Sequence, residues 1–196
     1  MDTVIPPPPL ACLPVRGTSA VFPVHRIYCV GRNYAAHAIE MGHDPTREEP
    51  FFFQKNPDNL VIDGGDFPYP DKSSDVHHEI EMVVALARGG TNIPVENALD
   101  CVYGYAVGLD MTRRDLQGQC KKAGRPWEIG KAFDQSAPIG PIHPLSRTGW
   151  IDKGAIRLTV NDQVRQQSTI DKLIWNVAET IEHLSSFWTL APGDLI

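Results

Sequence analysis

Short apolar runs separated by turn residues dominate the chain, and their spacing predicts more strand than helix. Arg26 to Val30 reads as a strand ended by Gly31, after which Asn33 is placed to cap a helical stretch from Tyr34 to Met41. Residues 42 to 50 have the composition of a mobile surface loop and lead into the strand-like Phe51-Phe52-Phe53. Residues 56 to 76 are dense in Pro, Gly, Asp and Asn. From His78 to Ala87 the pattern alternates and then turns continuously apolar, as in a strand running from a polar mouth into a core. Val95 to Cys101, with Pro94 near its start, predicts a helix, and Tyr103 to Met111 a strand that reaches its polar end at Asp110. Ile156 to Val160, Asn161-Asp162 and Val164 to Gln167 form a hairpin pattern whose turn residues tolerate positive φ. Ile174, Val177, Ala178, Ile181, Leu184 and Trp188 recur at helical spacing, so 172 to 188 is the clearest amphipathic helix, its apolar face belonging to the core.

Pro6-Pro7-Pro8-Pro9 lacks four consecutive N–H donors and predicts an extended arm over residues 1–24, ahead of a single domain over 25–196. The class is mixed α/β and β-rich. With 196 residues, 42% of them hydrophobic, the chain can build a sizeable core. The balance of 18 basic against 24 acidic residues, without a long basic run, argues against nucleic acid and anionic membrane surfaces as partners. The longest apolar stretch, Met82 to Ala87, is far short of the roughly 20 residues of a bilayer span. The N-terminus lacks the basic-then-apolar order of a leader, so a cytoplasmic location is expected. Cys12, Cys29, Cys101 and Cys120 are scattered, which suggests inert thiols rather than disulfides or zinc.

Chemistry enters with Glu79 and Glu81. Two residues apart on a strand, they share a face that continues into Val83 and Ala85. Neighbouring carboxylates aimed toward a core repel and lose hydration, and a divalent cation reverses that balance. Asp110, at the end of another strand, is a third oxygen ligand from a distance in sequence. Taken alone, Glu-x-Glu reads more readily as a solvated strand edge. His78 is a neighbour of this cluster, whereas His77 is read as a surface residue. His37 and Glu40, three apart on the helix after Gly31, have the spacing of a water-activating dyad beside a lid-like loop. Arg113, Arg114, Lys121, Lys122, Arg125 and Lys131 gather positive charge in an otherwise acidic chain, as either a solvated helix or a site for a small anion.

These pieces occur in a recognisable order: Val30 to Met41, His78-Glu79-Ile80-Glu81, Gly104 to Asp115 with its Asp110-Met111-Thr112-Arg113-Arg114-Asp115 ending, and Gly130 to Asp134. From about Phe22 to Ile196 the chain resembles the fumarylacetoacetate hydrolase superfamily. Phe51 to Lys55, Trp127 to Lys131 and Pro138 to Pro141 are most similar to its fumarylpyruvate-cleaving branch, found in gentisate degradation. The resemblance implies a mixed β-sandwich or β-roll with short helices, assembled as a homodimer. It implies that Glu79, Glu81 and Asp110 hold Mg²⁺ or Mn²⁺, with Ca²⁺ an alternative occupant. It places His37 and Glu40 on the attacking water, and Arg114, Gln117 and Lys131 on the substrate's carboxylate and oxo groups, Lys131 also stabilising the departing enolate. The implied reaction is metal-dependent hydrolysis of the C–C bond of an acylpyruvate (a 2,4-dioxo acid), above all fumarylpyruvate to fumarate and pyruvate.

The family pattern continues beyond Ala191 to Ile196 into a Thr-Gly-Thr-Pro loop and further strands. The catalytic domain is therefore expected to be incomplete at its C-terminal end, with Leu195-Ile196 an unpaired strand start. Two alternatives remain at this stage. One is an oxaloacetate decarboxylase or dienoate isomerase of the same superfamily. The other is a truncated, inactive chain that acts by association.

Overall fold

The computed structural model describes residues 2–34, 48–62 and 64–196. The helix expected over Tyr34 to Met41, the dyad His37–Glu40 and most of the 42–50 loop lie outside these residues, except for Tyr34, which makes an isolated antiparallel bridge to Leu173.

The architecture is the expected mixed, strand-rich one. Its longer strands are β1 (Cys12–Pro14), β2 (Val21–Pro23), β3 (Ile27–Gly31), β4 (Phe51–Lys55), β5 (Ile80–Leu86), β6 (Val102–Leu109), β7 (Ala155–Val160) and β8 (Gln163–Thr169). The longer helices are α1 (Arg114–Ala123) and α2 (Val177–Phe187). β3 pairs antiparallel with β4, placing Cys29 opposite Phe53 and Ile27 opposite Lys55. β5 pairs antiparallel with β6, placing Ile80 opposite Leu109 and Glu81 opposite Gly108. β7 and β8 form the expected hairpin, with Asn161 and Asp162 at φ 49° and 63° in its turn.

The two antiparallel pairs are joined by the last residues of the chain. Leu195 bridges Ile27 of β3 in parallel and Ala85 of β5 in antiparallel sense. Its N–H donates to Arg26 O at 2.8 Å and its carbonyl accepts from Tyr28 N at 2.8 Å. Ile196 and Val84 exchange both backbone hydrogen bonds, at 2.8 and 2.9 Å. The expectation of an unpaired Leu195-Ile196 edge is thereby corrected: both sides of the segment are filled by strands far away in sequence. Asp194, fully buried, locks the seam. Its carboxylate accepts from His25 Nδ1 at 2.8 Å, from the Arg26 guanidinium at 3.1 Å and from Ala191 N at 2.8 Å.

Alternation along β5 puts core on both faces of this composite sheet. Val83 and Ala85 join Leu13, Phe22, Ile27, Ile142 and Leu195 on one side, while Val84 and Leu86 join Tyr28, Tyr105, Ile181 and Leu184 on the other. α2 supplies Ile181 and Leu184 as its spacing predicts. It starts at Val177 rather than 172, because Asn176 and Glu179 form a reciprocal capping box that fixes the first turn there. The helix that Asn33 was expected to cap lies outside the described residues, but Asn33 itself has another role. Its side chain accepts from Trp175 N at 2.8 Å and donates to Trp175 O at 2.9 Å, tying the end of β3 to the approach to α2.

The stretch expected as an extended arm is ordered structure from Cys12 onward. β1 and β2 form a hairpin whose Leu13 and Phe22 are buried in the core. Val24 N also donates to Ala11 O and Ile142 N to Pro14 O, each at 2.8 Å. The tetraproline run governs only the exposed residues that precede this hairpin.

Leu195→Ala removes a fully buried side chain from the seam and is expected to destabilise the protein by about 3 kcal/mol. Urea denaturation followed by circular dichroism measures it, and an unchanged midpoint would show that the seam does not hold the two strand pairs together.

Candidate active site

Where β5 and β6 end, the chain gathers most of its buried charge. Asp110 N donates to Glu79 O at 2.8 Å just past the last ladder pair, so the two carboxylates leave neighbouring strands side by side. Glu81, on β5, lines the same cavity as Glu79 and Asp110 and feels the charge of both. The three acidic residues singled out in the sequence are thus brought to one place.

The groups between them are basic. Lys131, at the end of the short helix Glu128–Lys131, directs all three of its ammonium protons inward: to Asp110 Oδ2 at 2.6 Å, Glu79 Oε2 at 2.7 Å and Thr112 Oγ1 at 2.7 Å. Gly130 allows this approach, because a Cβ there would lie 2.9 Å from Gln117 N on α1. Arg114, the first residue of α1, ion-pairs with Glu79 Oε1 and donates to Gln117 Oε1 at 2.8 Å. Gln117 is itself buried.

Lys55 is the site residue that sequence reasoning missed. It sits at the inner end of β4, almost fully buried, with its ammonium 3.0 Å from Asp110 Oδ1. It also donates to Met111 O at 3.2 Å and to Lys131 O. The available signal was alternation: Phe51, Phe53 and Lys55 share one face of a strand whose first members are aromatic, so the lysine had to enter the core with them.

The electrostatics follow from this packing. Glu79 is held down at about 2; burial works against ionisation, but the Lys131 and Arg114 cations outweigh it. Glu81 is pushed up to about 8 by burial, then by the charges of Asp110 and Glu79. No hydrogen bond or ion pair joins Glu81 to another described residue in the contacts above. Burial raises Asp110 as well, against the two lysines, and Glu79 adds to the rise. Lys131 loses hydration on burial, yet Asp110 and Glu79 hold it above the usual lysine range and keep it charged. Burial pushes the neighbouring Cys29 thiol up, consistent with an inert role. Tyr34 is raised to about 12 by burial and by Glu81. His77 pairs at the surface with Asp75 at 3.0 Å, whereas His78 lines the cavity with its Nδ1 buried and without a hydrogen-bond partner.

Two features of this cluster suit a hard divalent cation. Its donors are three carboxylates, and Asp110 Oδ1 is buried without a hydrogen-bond partner, facing Lys55 only as an ion pair. Among the described residues, no three His, Cys, Asp or Glu side chains stand ready around a single point, because the Lys131 ammonium bridges Glu79 and Asp110. The cluster forms the floor of a cavity of about 620 Å³, whose walls include Arg32, Phe51, Phe53, Lys121 and Trp127. The described residues contain no helix long and apolar enough to cross a membrane.

A strand-rich fold carrying this acid–base cluster at the floor of a cavity has the form of an enzyme active site, and the comparisons name the family. Residues 26–196 match the family model for the fumarylacetoacetate (FAA) hydrolase C-terminal region, and the chain belongs to that family. A fumarylpyruvate hydrolase from Ralstonia sp is 44% identical over 153 residues, which cover 78% of this chain and 79% of that protein. The crystal structure of fumarylpyruvate hydrolase from Pseudomonas aeruginosa in complex with Mn²⁺ and pyruvate aligns with a TM-score of 0.95 at 54% identity, covering 99% of this chain and 85% of that one. A mitochondrial oxaloacetate decarboxylase from Dictyostelium discoideum is 37% identical over 172 residues, 87% of this chain and 78% of its own.

The Glu81 shift sets a pH window. A folded-state value near 8, above the ordinary carboxylate value, means that stability is fully present below the unfolded value and is lost as pH rises through 8. In metal-free protein, Glu81→Gln is therefore expected to raise the melting temperature at pH 8 and to change it little at pH 4. Adding Mn²⁺ at pH 8 is expected to raise the melting temperature of the wild type but much less that of the variant. Differential scanning fluorimetry at both pH values checks the pair, and equal Mn²⁺ responses would remove Glu81 from the ligand set.

Proposed function

We propose that this enzyme hydrolyses the C–C bond of an acylpyruvate, with fumarylpyruvate as substrate and fumarate and pyruvate as products. The observation that carries the reading is the buried Glu79–Lys131–Asp110 cluster, flanked by Arg114 and Gln117 at the floor of the cavity. The 44–54% identical fumarylpyruvate hydrolases support the choice of substrate.

Glu79, Glu81 and Asp110 would hold a divalent cation, Mg²⁺ or Mn²⁺, whose Lewis acidity polarises the 2-oxo carboxylate end of a bound dioxo acid. Arg114 and Gln117 orient that end, the guanidinium by charge and the buried amide by hydrogen bonding. Lys131, already fixed by three oxygens, holds positive charge where the electron pair of the breaking bond accumulates. Lys55 keeps Asp110 and the Lys131 backbone in register. His37, positioned by Glu40, would take a proton from the water that adds to the distal ketone. The bond between that carbon and the pyruvate methylene then breaks, its electron pair stays with the pyruvate fragment, and a proton completes the methyl group. The roles of His37 and Glu40 rest on their spacing and on the family motif. A cytoplasmic homodimer, acting in aromatic catabolism, completes the proposal.

The decarboxylase relative supports a second reading, loss of CO₂ from oxaloacetate at the same floor. Product analysis separates the two: fumarate with pyruvate in one case, pyruvate with CO₂ in the other.

Fumarylpyruvate is expected to lose its enol absorbance in the presence of Mg²⁺ or Mn²⁺, and a chelator to stop the loss. Turnover that survives complete chelation would sink the metal-dependent reading. Asp110→Ala is expected to abolish metal-dependent activity. His37→Ala is expected to lower kcat by about 10²-fold or more while metal binding, followed by calorimetry, persists. An unchanged kcat would take His37 out of the mechanism.

A further inference from the structure

Two cations on the cavity wall are not used by the floor. Arg32 and Lys121 both line the cavity, and neither makes a hydrogen bond or an ion pair to any described acid. Each is instead seated on an aromatic ring: the Arg32 guanidinium lies 5.2 Å from the Phe51 centroid and the Lys121 ammonium 6.0 Å from the Trp127 centroid. Those rings pack against each other edge to face at 5.4 Å, which brings their two cations to one stretch of wall. Gly31, opposite Phe51 in the ladder, makes room for this ring, since a Cβ there would run into it. Arg32 adopts φ 55°, an uncommon conformation for an arginine, at the end of β3. Loss of hydration and then repulsion by Arg32 and Arg114 hold Lys121 below the usual lysine range. With no acid among the described residues paired to either, like charges placed together raise the energy of this wall and favour an anion there.

The wall also has direction. Phe53 packs on Trp127 at 6.1 Å, and the Lys131 ammonium lies 5.1 Å from the Phe53 centroid. A continuous aromatic surface, Phe51–Trp127–Phe53, therefore runs from the Arg32–Lys121 pair to the acid–base floor. Flat rings in this arrangement suit a flat, conjugated carbon chain with a negative group at each end.

We propose that Arg32 and Lys121 form a subsite for a second carboxylate at the far end of the substrate, which makes the enzyme selective for unsaturated acylpyruvates that are dicarboxylic acids. This deepens the acylpyruvate reading and rests on it for the reaction, though not for the anion site itself. The chemistry separates a C4 acyl group ending in carboxylate from an acetyl group, which offers the wall nothing to bind.

The test has two arms. In the kinetic arm, Lys121→Met keeps an apolar stem over Trp127 and Arg32→Asn tolerates the positive φ, so both are expected to fold, as melting curves will show. Each is expected to lower about tenfold the preference in kcat/KM for fumarylpyruvate over acetylpyruvate, chiefly through KM for fumarylpyruvate. A preference unchanged in both variants would overturn the subsite. In the binding arm, Mn²⁺-saturated protein is titrated calorimetrically with fumarate and with crotonate, which carries a methyl group in place of one carboxylate. The wild type is expected to bind fumarate about tenfold more tightly, and Lys121→Met to lose that margin. Equal affinities in the wild type would overturn the proposal. If the wild type turns over neither ketone, the acylpyruvate reading fails and the binding arm alone decides the subsite.

Discussion

The structure depends on the insertion of one short segment between two strand pairs. β3 and β5 do not hydrogen-bond to each other; residues 194–196 lie between them and bond to both. Lys55 arrives on the β3–β4 side and Glu81 on the β5–β6 side, so the seam decides whether the basic and acidic halves of the site face one another. Its strength comes from two sources that act together. Leu195 is wholly buried, and Asp194 is buried with its carboxylate satisfied by donors from His25, Arg26 and Ala191. A buried carboxylate without those partners would cost several kcal/mol, so the segment seats in one register or not at all.

With its strands registered, the floor of the cavity becomes a problem in charge. Glu79, Glu81 and Asp110 face Lys55, Lys131 and Arg114, three acids against three bases, a set that balances when every group is ionised. Glu81 resists ionisation, which leaves the floor with an excess of positive charge near neutral pH. A divalent cation held there would bring Glu81 to its charged form and add positive charge of its own, and the proposed doubly charged substrate would offset that excess. The direction of the Glu81 shift and the family's ligand pattern thus describe one balance from its two sides.

How much of this could be read from the chain depended on whether the signal was local. Glu79 and Glu81 share a face by strand periodicity alone, Asp110 ends an apolar run, and Asn161-Asp162 marks a turn, so each was legible within a few residues. The β1–β2 hairpin was not, because four prolines just upstream dominate the composition and its other side is held by Ile142, far along the chain. Asn33 drew attention only through the helical pattern that follows it, whereas its amide joins Trp175, a partner 142 residues away that no local pattern announces. Lys55 was hidden for the opposite reason. A lysine after three phenylalanines reads as the polar end of a strand, and only the carboxylates supplied by two other strands explain why it is buried.

The aromatic wall shows the same non-local logic applied to specificity. Phe51 and Phe53 come from β4, Trp127 from the approach to the short helix that carries Lys131, Arg32 from the end of β3, and Lys121 from α1. Each of these positions drew notice only within its own segment, and none of those segments shows that they share one wall. Brought together, they divide one cavity in two: the floor concentrates opposite charges, while the wall carries flat apolar surface and two cations that pair with no acid among the described residues, which is the division of tasks the proposed substrate would use. A floor of this kind can serve several reactions on 2-oxo acids, as its resemblance to both hydrolases and a decarboxylase illustrates. If the floor is shared in this way, the proposed wall subsite is where acids of different length and charge would be told apart.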